Sequence, residues 1–287
     1  MAAEGLKLYS YWRSSAAYRA RIALNLKGLA HELIPVNLAH NGGQQHAPDF
    51  HEINPQELIP VLVHGERQIR QSMAIIEYLE ETFDGKRLLP VTARERARVR
   101  GLAQVVACDI HPLNNSRVLQ YLEREFNTPL VERERWVRHW IELGFAALEE
   151  MLERNPSTGE FCEGDAPSIA DICLVPQAYN ALRFSVDLKN YKTIARIYDA
   201  CLRMEEFSAA RPEKYSREHP WLELRVRVRH ADSCRDCSRL RPHHRLDVRD
   251  HSLERTSRER CNLYVRARSG PNRGGLGLAD VGVHPHG

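Results

Sequence analysis

Near the start of the chain, the spacing of apolar residues changes from that of a strand to that of a helix and back again. Residues 6–11 (L-K-L-Y-S-Y) and 31–37 (H-E-L-I-P-V-N) are predicted strands. Between them, apolar positions recur at helical spacing and predict a helix with a solvated polar face. The apolar positions are Ile22, Ala23, Leu26 and Leu29, and the solvated ones are Arg19, Asn25 and Lys27. A strand, a helix and a strand in so short a span predict a βαβ unit with a parallel strand pair.

A second group of elements completes a small α/β domain. Pro60 precedes the apolar run 61–63, which places this proline at the start of a strand rather than inside a sheet. After a turn at Gly65, residues 67–70 return as a short antiparallel strand. Ser72 is then the predicted N-cap of an amphipathic helix. The order βαβ followed by ββα indicates a compact mixed domain.

Further along the chain, long helical patterns appear with almost no strand signal. One helix is predicted over residues 93–125 and another over 132–154. Ser168 and Asp171 have the spacing of a capping box, with Asp in place of the usual Glu, at the start of an apolar helix. The predicted organisation is an α/β domain over 1–86, an all-α domain over 87–216 and a tail over 217–287.

The tail over 217–287 is rich in arginine and histidine, and its weak hydrophobic periodicity predicts disorder. Cys234 and Cys237, followed by His243 and His244, resemble half of a zinc site. No second cysteine pair follows, so we expect no bound metal. Our hypothesis is that the tail is a recent or frame-altered extension without a role in catalysis.

Composition limits the classes of function. The 287 residues carry a formal net charge of +3, which is too small to argue for a nucleic-acid partner. The seven cysteines are odd in number and mostly far apart, which suits a reducing compartment better than a disulfide framework. No apolar run approaches membrane-spanning length, and the N-terminus lacks the apolar core of a signal peptide. We therefore expect a soluble cytoplasmic protein without a membrane partner.

Ser14 and Ser15 stand where the first strand turns into the first helix. A helix N-terminus has unpaired N–H groups and a partial positive charge, so it stabilises an anion placed against it. One interpretation is that a serine simply caps the helix, which contributes about 1 kcal/mol. The other is that a serine hydroxyl donates to a bound thiolate and keeps it ionised near neutral pH. The dipeptide alone favours the cap.

The rest of the chain favours the second interpretation, because six sequence blocks between about residues 5 and 215 occur in the same order as in a known protein family. The blocks are S-S-A-A-Y-R-A-R-I-A-L from Ser14, N-G-G-Q-Q from Asn41, N-P-Q and I-P-V from Asn54, Q-S and I-I-E-Y-L-E-E from Gln71, D-I-H-P-L-N-N from Asp109, and A-D-I-C-L-V-P-Q from Ala170. Together they resemble the zeta class of the cytosolic glutathione transferases. The resemblance implies the glutathione transferase fold, a thioredoxin-like α/β domain followed by an all-α helical domain.

The sequence departs from the family in three places. The family often has cysteine after the two serines, where this chain has Ala16. That difference argues against a protein thiol in the reaction and leaves a serine mechanism intact. The strand after Gly65 is unusually polar, and the tail beyond Arg217 has no counterpart in the family pattern.

The resemblance implies glutathione as cofactor and assigns residues to it. The peptide before Pro60 would be cis, exposing the backbone of Ile59 for strand-like pairing with the cysteinyl part of glutathione. Gln71 and Ser72 would meet the γ-glutamyl carboxylate, and Gln45 would hold the glycyl end. The full set expected to contact glutathione is Ser14, Ser15, Ala16, Ala17, Tyr18, Arg19, Gln45, Ile59, Gln71, Ser72, His111 and Asn115.

The resemblance also implies a reaction. Ser14 and Ser15 would stabilise the thiolate of glutathione, with Arg19 as electrostatic support. Reversible addition of the thiolate to the cis double bond of a dicarboxylic enone allows rotation, and no metal or general base is required. Arg183 would face the substrate, although a solvated surface charge is the alternative for either arginine. His111 is expected to line the cleft and not to act as a base.

The favoured function is therefore glutathione-dependent isomerisation of maleylacetoacetate to fumarylacetoacetate, in the breakdown of tyrosine and phenylalanine. Maleylpyruvate isomerisation in gentisate breakdown is a close alternative that the sequence does not separate. A general glutathione transferase or peroxidase acting on electrophiles such as halogenated acids would use the same serines. A non-catalytic interaction protein of the same fold would be expected to lack them. The resemblance further implies a homodimer.

Overall fold

The computed structural model describes residues 5–39 and 42–216. Its sheet has four strands, in the order β2-β1-β3-β4. Strands β1 and β2 are parallel, and the β1–β3 and β3–β4 pairs are antiparallel. The strands are β1 (Leu6–Ser10), β2 (Glu32–Pro35), β3 (Val61–His64) and β4 (Arg67–Arg70). The predicted βαβ unit and the returning antiparallel strand are confirmed.

Side chains on the two faces of the sheet enter different apolar clusters, because successive residues of a strand point to opposite sides. Leu8 of β1 packs with the helices α1 (Ser15–Leu26) and α3 (Ser72–Thr82). Tyr9, the next residue, packs on the other side, where its ring lies 5.9 Å from that of Phe50 in α2 (Pro48–Ile53). Both faces of the sheet are thus covered, and the strand ends lead to the loops of the site.

The prediction that the polar face of α1 is solvated is wrong. Arg19 and Lys27 are both buried, and Asn25 is half-buried. The Lys27 ammonium lies 2.7 Å from the Glu80 carboxylate, and the side-chain amide of Asn25 donates to the carbonyl of Glu206 at 2.9 Å. Helical periodicity identifies the apolar side of a helix, but here other elements cover the polar side as well.

Two features at the entrance to the second half of the sheet decide the geometry of the site. The Ile59–Pro60 peptide is cis, as expected. Ser72 is the first residue of α3 rather than its N-cap, which corrects the prediction. The cap position belongs to Gln71, whose φ of 70° is a left-handed conformation unusual for a side chain of this size. The Ser72 hydroxyl is instead turned to Arg19, from which it accepts a hydrogen bond.

Ten α-helices occur within the described residues, and most of them lie after residue 92. The seven in that part are α4 (Ala93–Gln104), α5 (Ser116–Phe126), α6 (Leu130–Glu153), α7 (Ile169–Arg183), α8 (Lys192–Arg203), α9 (Glu205–Ala209) and α10 (Pro212–Ser216). The predicted capping box of α7 is confirmed, because Ser168 and Asp171 exchange both of its hydrogen bonds. Asp171 also accepts from the backbone N–H of Cys162 at 2.9 Å, which fixes the preceding loop.

The single helix predicted over 93–125 is wrong. After α4, the chain continues as a wide π-helical segment, Val105–Ile110, and a 3₁₀ turn, Pro112–Asn114. Pro112 has no N–H to continue the helical ladder, and Asn115 caps the next helix. This break brings His111, Asn115 and the start of α5 to the cleft described below.

The described residues form one compact unit. One apolar cluster runs from Leu8 in the sheet to Ile197 in α8 without interruption. The rings of Tyr18 in α1 and Tyr179 in α7 meet edge to face across it, with centroids 6.2 Å apart. The structure therefore does not test the domain boundary predicted at 86/87, which stays a prediction. The predicted tail and its half zinc site lie outside the described residues.

Two further observations concern the described part of the chain. None of its helices combines the length and the apolar character needed to cross a bilayer. No three or more His, Cys, Asp or Glu side chains of residues 5–39 and 42–216 are grouped as ligands for a metal ion.

Candidate active site

An open cleft lies where the end of β1, the loop before β3 and the helices α5 and α7 approach one another. Its larger part, here called the wide lobe, has a volume of about 590 Å³ and holds Ser14, Ser15 and Gln45. A narrow lobe of about 260 Å³ holds Arg19, Gln71 and Ser72. The two lobes share wall residues and form one cleft. The shared residues are Ala16, Gln56, Leu58, Ile59, His111, Asn115 and Arg117.

Ser14 caps α1 and still has a hydrogen to donate. Its Oγ accepts from the backbone N–H of Ala17 at 3.2 Å, and its own N–H donates to the carbonyl of Tyr11 at 3.0 Å. A hydroxyl has two lone pairs and one hydrogen, so accepting at one lone pair leaves the O–H available. Ser15, the first residue of α1, lines the same lobe. The two interpretations of the serine pair are thus compatible.

Arg19 is a buried cation with most of its hydrogen bonds unmade. Its side chain is 2% exposed, and Nη1 donates to the Ser72 hydroxyl at 3.0 Å. Nε and Nη2 have no partner. Burial lowers the pKa of this guanidinium from its ordinary value. A buried charge of this kind is costly unless an anion meets it, and Arg19 lines the narrow lobe.

The N-terminus of α3 forms the other wall of the narrow lobe. This helix has eleven residues, and its first N–H groups and partial positive charge lie beside the Ser72 hydroxyl. The side-chain amide of Gln71 donates to Gln56 Oε1 at 2.9 Å, which ties this corner to the loop before Pro60. The helix end, the hydroxyl and the Arg19 guanidinium together make the narrow lobe suitable for a carboxylate.

Gln45 lies at the opposite side of the cleft, in a 3₁₀ turn, Gln44–His46. Its side chain is buried, and its Nε2 lies 2.9 Å from Nε2 of His46. Its Oε1 has no partner. A Cβ at Gly43, where φ is 115°, would lie 2.4 Å from the Gln45 amide, so only glycine leaves room for this side chain. The predicted ligand contact at Gln45 therefore has a polar group in place that lacks a partner.

The predicted wall residues are found in the cleft. Ile59, which precedes the cis peptide, and Ala16 border both lobes. His111 does so as well, and burial, with the nearby Arg19 charge, lowers the pKa of His111 to about 3. Its ring is therefore neutral at pH 7. Asn115 Oδ1 accepts from the backbone N–H of Arg117 at 3.1 Å, so it caps α5 and lines the cleft at once.

Arg183 lies on the wall of the wide lobe, at the end of α7. It donates to Asn180 Oδ1 at 3.3 Å, and burial and the charge of Arg13 lower the pKa of its guanidinium. Arg13 and Arg117 line the same lobe and were missed in the sequence. Arg13 directly precedes the serine pair, which was a usable signal. Arg117 was hidden inside the helix wrongly predicted to be continuous.

Two residues predicted to contact the ligand turn away from the cleft. Ala17 is fully buried in the apolar interior. The Tyr18 hydroxyl donates to the carbonyl of Phe207 at 3.4 Å, and burial raises the pKa of that phenol. Successive residues of a helix are about 100° apart, so Ala17, two residues after Ser15, faces the opposite side of α1. The side chains of Ala17 and Tyr18 thus lie in the core, and their contact with the ligand stays a prediction.

Buried thiols do not compete as nucleophiles. Burial raises the pKa of Cys173 to about 11 and that of Cys162 well above its ordinary value, so both stay protonated near neutral pH. The Cys173 thiol donates to Met73 Sδ at 3.4 Å. The position after the serine pair is alanine. The described chain therefore offers the serine hydroxyls, and no buried cysteine, for thiolate chemistry in the cleft.

Comparisons with known proteins agree with this geometry. A family model described as glutathione S-transferase, N-terminal domain, matches residues 8–87. A Vibrio cholerae protein named probable maleylacetoacetate isomerase is 50% identical over 208 residues, covering 72% of this chain and 96% of its own length. A Ralstonia maleylpyruvate isomerase is 45% identical over 208 residues, covering 72% of this chain and 97% of its own.

A solved structure is similar along the same region. It is a maleylacetoacetate isomerase from Methylobacterium extorquens AM1 with bound malonate and GSH. The TM-score is 0.70 at 44% sequence identity, and the match covers 72% of this chain and 96% of the other.

Proposed function

Because the chain belongs to the zeta class of the glutathione transferases, we propose that it is a glutathione-dependent isomerase that converts maleylacetoacetate to fumarylacetoacetate. The observation that carries this proposal is one continuous cleft with an available serine hydroxyl, a carboxylate site in its narrow lobe and three arginines in its wide lobe.

The polar groups of the cleft fit glutathione, which has a carboxylate at each end and a thiol between them. The narrow lobe offers its γ-glutamyl carboxylate the N-terminus of α3 and the Ser72 hydroxyl, with the buried Arg19 charge behind that hydroxyl. At the other side, the buried Gln45 amide has an NH₂ group that can donate to the glycyl carboxylate and an unpartnered oxygen that can accept from a peptide N–H of glutathione. Buried polar atoms without partners are rare in folded proteins, so a ligand that satisfies them is the natural explanation.

Glutathione supplies a thiolate that adds reversibly to the cis double bond, which permits rotation. The protein keeps this thiol ionised by the Ser14 or Ser15 hydroxyl and by the positive N-terminal end of α1. His111 is neutral and contributes no charge there. Arg19 supplies a fixed positive charge that is screened little, because water does not reach it.

The wide lobe suits a small substrate with two carboxylates. Arg13, Arg117 and Arg183 line it, and each carries a planar guanidinium that can hold a carboxylate with two parallel hydrogen bonds. When the thiolate adds, negative charge moves onto the carbonyl oxygen of the enone, where the same arginines stabilise it. A small dicarboxylic enone is therefore the proposed partner.

Maleylpyruvate is the second candidate substrate. The Ralstonia relative at 45% identity is named for it, and its dicarboxylic enone differs from maleylacetoacetate only beyond the reacting bond. The same arginines would hold either acid. A general transferase acting on halogenated acids and other electrophiles remains the third hypothesis.

We further propose a cytoplasmic homodimer that acts in tyrosine and phenylalanine breakdown. The cysteines Cys108, Cys162, Cys173 and Cys201, all within the described residues, are free thiols, which suits a reducing compartment. Light scattering of the purified full-length chain tests the dimer, for which the expected mass is twice that of one chain.

The test of function is a coupled absorbance assay with maleylacetoacetate, with and without glutathione, in the presence of fumarylacetoacetate hydrolase. Ser14→Ala and Ser15→Ala are assayed separately, and the variant that removes the thiolate donor is expected to lower kcat/KM on the order of 100-fold. Parallel assays with maleylpyruvate compare the two substrates.

Thr92→Ala is the matched control for Ser14→Ala. Thr92 also caps a helix, accepting from the backbone N–H of Glu95 at 3.3 Å, but it lies outside the cleft. Both replacements should lower the free energy of unfolding by about 1 kcal/mol, and only the serine replacement should slow turnover. Full activity in both serine variants would contradict the serine mechanism, and turnover without glutathione would contradict the proposed function.

A further inference from the structure

One wall of the narrow lobe carries a cysteine that the reaction does not use. Cys108 lines this lobe, and it is the exposed cysteine among the four within residues 5–39 and 42–216. The other three, Cys162, Cys173 and Cys201, are buried, and burial raises the pKa of each thiol. Disulfide exchange requires a sulfur that the reagent can reach. Within the described part of the chain, Cys108 is therefore the thiol open to such exchange.

The local structure explains why Cys108 faces the cleft. It lies in the π-helical segment Val105–Ile110, where the N–H of His111 donates to the carbonyl of Val106 at 2.9 Å, five residues back. Val106 and Ile110 are each 1% exposed and belong to the core. Cys108 lies about half a turn from both of them, so its side chain leaves the helix on the opposite face. That face borders the narrow lobe.

The surroundings of Cys108 favour a negatively charged group. Arg19 is a buried cation behind the Ser72 hydroxyl, and two of its nitrogens have no partner. Burial lowers the pKa of Arg19, and the nearby thiols of Cys173 and Cys108 act in the opposite direction. The N-terminus of α3 adds its partial positive charge to the same lobe. A disulfide that carries carboxylates is thus better suited to this lobe than a neutral one.

We propose that Cys108 is a modification site, at which exchange with glutathione disulfide attaches a glutathionyl group that occupies the narrow lobe. The thiolate of Cys108 attacks one sulfur of the disulfide. The disulfide bond of the reagent breaks, a bond from Cys108 to the attacked sulfur forms, and one glutathione leaves as a thiolate that takes a proton from water. No further oxidant is needed, and free glutathione reverses the exchange.

The inference rests on the proposed function, because the same lobe is proposed to hold the γ-glutamyl carboxylate of glutathione. The lobe has a volume of about 260 Å³, and a group attached to Cys108 competes for this space. Its own carboxylates can also occupy the N-terminus of α3. Modification would therefore stop glutathione binding, and the activity of the enzyme would follow the ratio of glutathione to its disulfide.

The test treats the full-length protein with glutathione disulfide at about pH 8, close to the ordinary thiol pKa. After removal of the reagent, calorimetry measures binding of S-methylglutathione, a probe that has no thiol and cannot reverse the modification. Peptide mass spectrometry measures the modified fraction of Cys108. The number of binding sites per chain is expected to fall in step with that fraction, at an unchanged Kd of the remaining sites. Dithiothreitol should restore all sites.

Two variants assign the effect to one thiol, each compared with its own untreated sample. In Cys108→Ser, treatment should remove no binding sites. The matched control combines Cys234→Ser, Cys237→Ser and Cys261→Ser, which replace the three cysteines outside the described residues, and it should lose sites as the wild type does.

A protection experiment needs no variant. S-methylglutathione at about ten times its Kd leaves roughly one cleft in ten empty, so it should slow the modification of Cys108 about tenfold. An equal rate with and without this probe would show that the thiol and the probe do not share the lobe, which overturns the inference.

The remaining outcomes are also distinct. If the wild-type protein binds S-methylglutathione but Cys108 does not react, or reacts without loss of binding sites, the inference is wrong. Loss of sites that persists in Cys108→Ser overturns it as well. Failure of the untreated wild-type protein to bind S-methylglutathione contradicts the proposed function instead.

Discussion

Helix α1 carries two arginines, two residues apart, that are equally buried but differ in how many of their hydrogen bonds are made. Arg21 is 0% exposed, and its guanidinium donates to Ser10 Oγ at 3.1 Å and to the carbonyls of Ala210 at 3.1 Å and Trp12 at 3.2 Å. The ring of Tyr215 also lies against it, 4.5 Å away.

Arg19 faces the other side of the helix. It makes one hydrogen bond, to Ser72, and leaves two nitrogens without partners at the wall of the narrow lobe. Because a buried cation is costly unless its hydrogen bonds are made, Arg21 is explained by the fold alone and Arg19 is not. The two arginines thus differ in the satisfaction of their polar atoms and not in burial, which supports the proposed ligand contact of Arg19.

Replacing Arg21 should have the largest effect on stability. Arg21→Met leaves two backbone carbonyls and a serine hydroxyl without their donor, so the free energy of unfolding is expected to fall by about 3 kcal/mol. Urea denaturation measures this fall. The Kd for S-methylglutathione of the folded variant should stay near the wild-type value. A variant as stable as the wild type would contradict the structural role of Arg21.

Replacing Arg19 should have the opposite effects, with no loss of stability and a large loss of ligand affinity. Arg19→Met removes a charge that has no anion in the ligand-free protein, so the free energy of unfolding should stay equal or rise by about 1 kcal/mol. The Kd for S-methylglutathione should rise on the order of 100-fold, because a buried charge partner of the ligand carboxylate is lost. Equal loss of stability in both arginine variants, with unchanged binding, would remove the distinction between them.

His111 extends the comparison, because burial and the nearby charge of Arg19 lower its pKa. Its pKa is lowered to about 3, whereas the unfolded chain takes up the proton near the ordinary value of about 6.5. Between these values the unfolded state binds more protons, so this residue makes stability fall as pH falls from about 6.5. Above that pH it has no such effect.

His111→Gln should therefore lose less stability than the wild type between pH 6.5 and pH 4.5, by up to about 1.4 kcal/mol per pH unit. Urea midpoints at the two pH values measure the difference. His139→Gln, which replaces an exposed histidine on α6, is the control and should follow the wild type. Identical pH dependence in all three proteins would place the ring of His111 in contact with water.

The local elements of the fold could be predicted from the sequence because they depend on neighbours along the chain. The strands around α1, the capping box at Ser168 and the serine pair at a helix start all follow from spacing and residue type. The cis peptide before Pro60 came from the family resemblance. The continuous helix over 93–125 failed, because the sequence reading weighed its periodicity above the break at Pro112.

The candidate site was predictable to the extent that it is built from short motifs. Ser14, Gln45, Gln71 and Ser72 all reach the cleft, whereas Ala17 and Tyr18, inside one of the motifs, do not. A motif marks a segment of backbone, and the side chains within it point in several directions. Arg13 and Arg117 were missed because only the packing of separate elements brings them to the same lobe.

By itself, the sequence determined the βαβ and ββα order of the first elements and the serine pair at the start of α1, since these follow from residue types and spacings along the chain, and its resemblance to known sequences indicated the family. The tertiary structure alone decided that Arg19 leaves two nitrogens without partners while Arg21 donates to three acceptors. Hydrogen-bond satisfaction depends on residues far apart in the chain, from Ser10 to Ala210 in the case of Arg21. Periodicity along one helix contains no information about what covers its polar side.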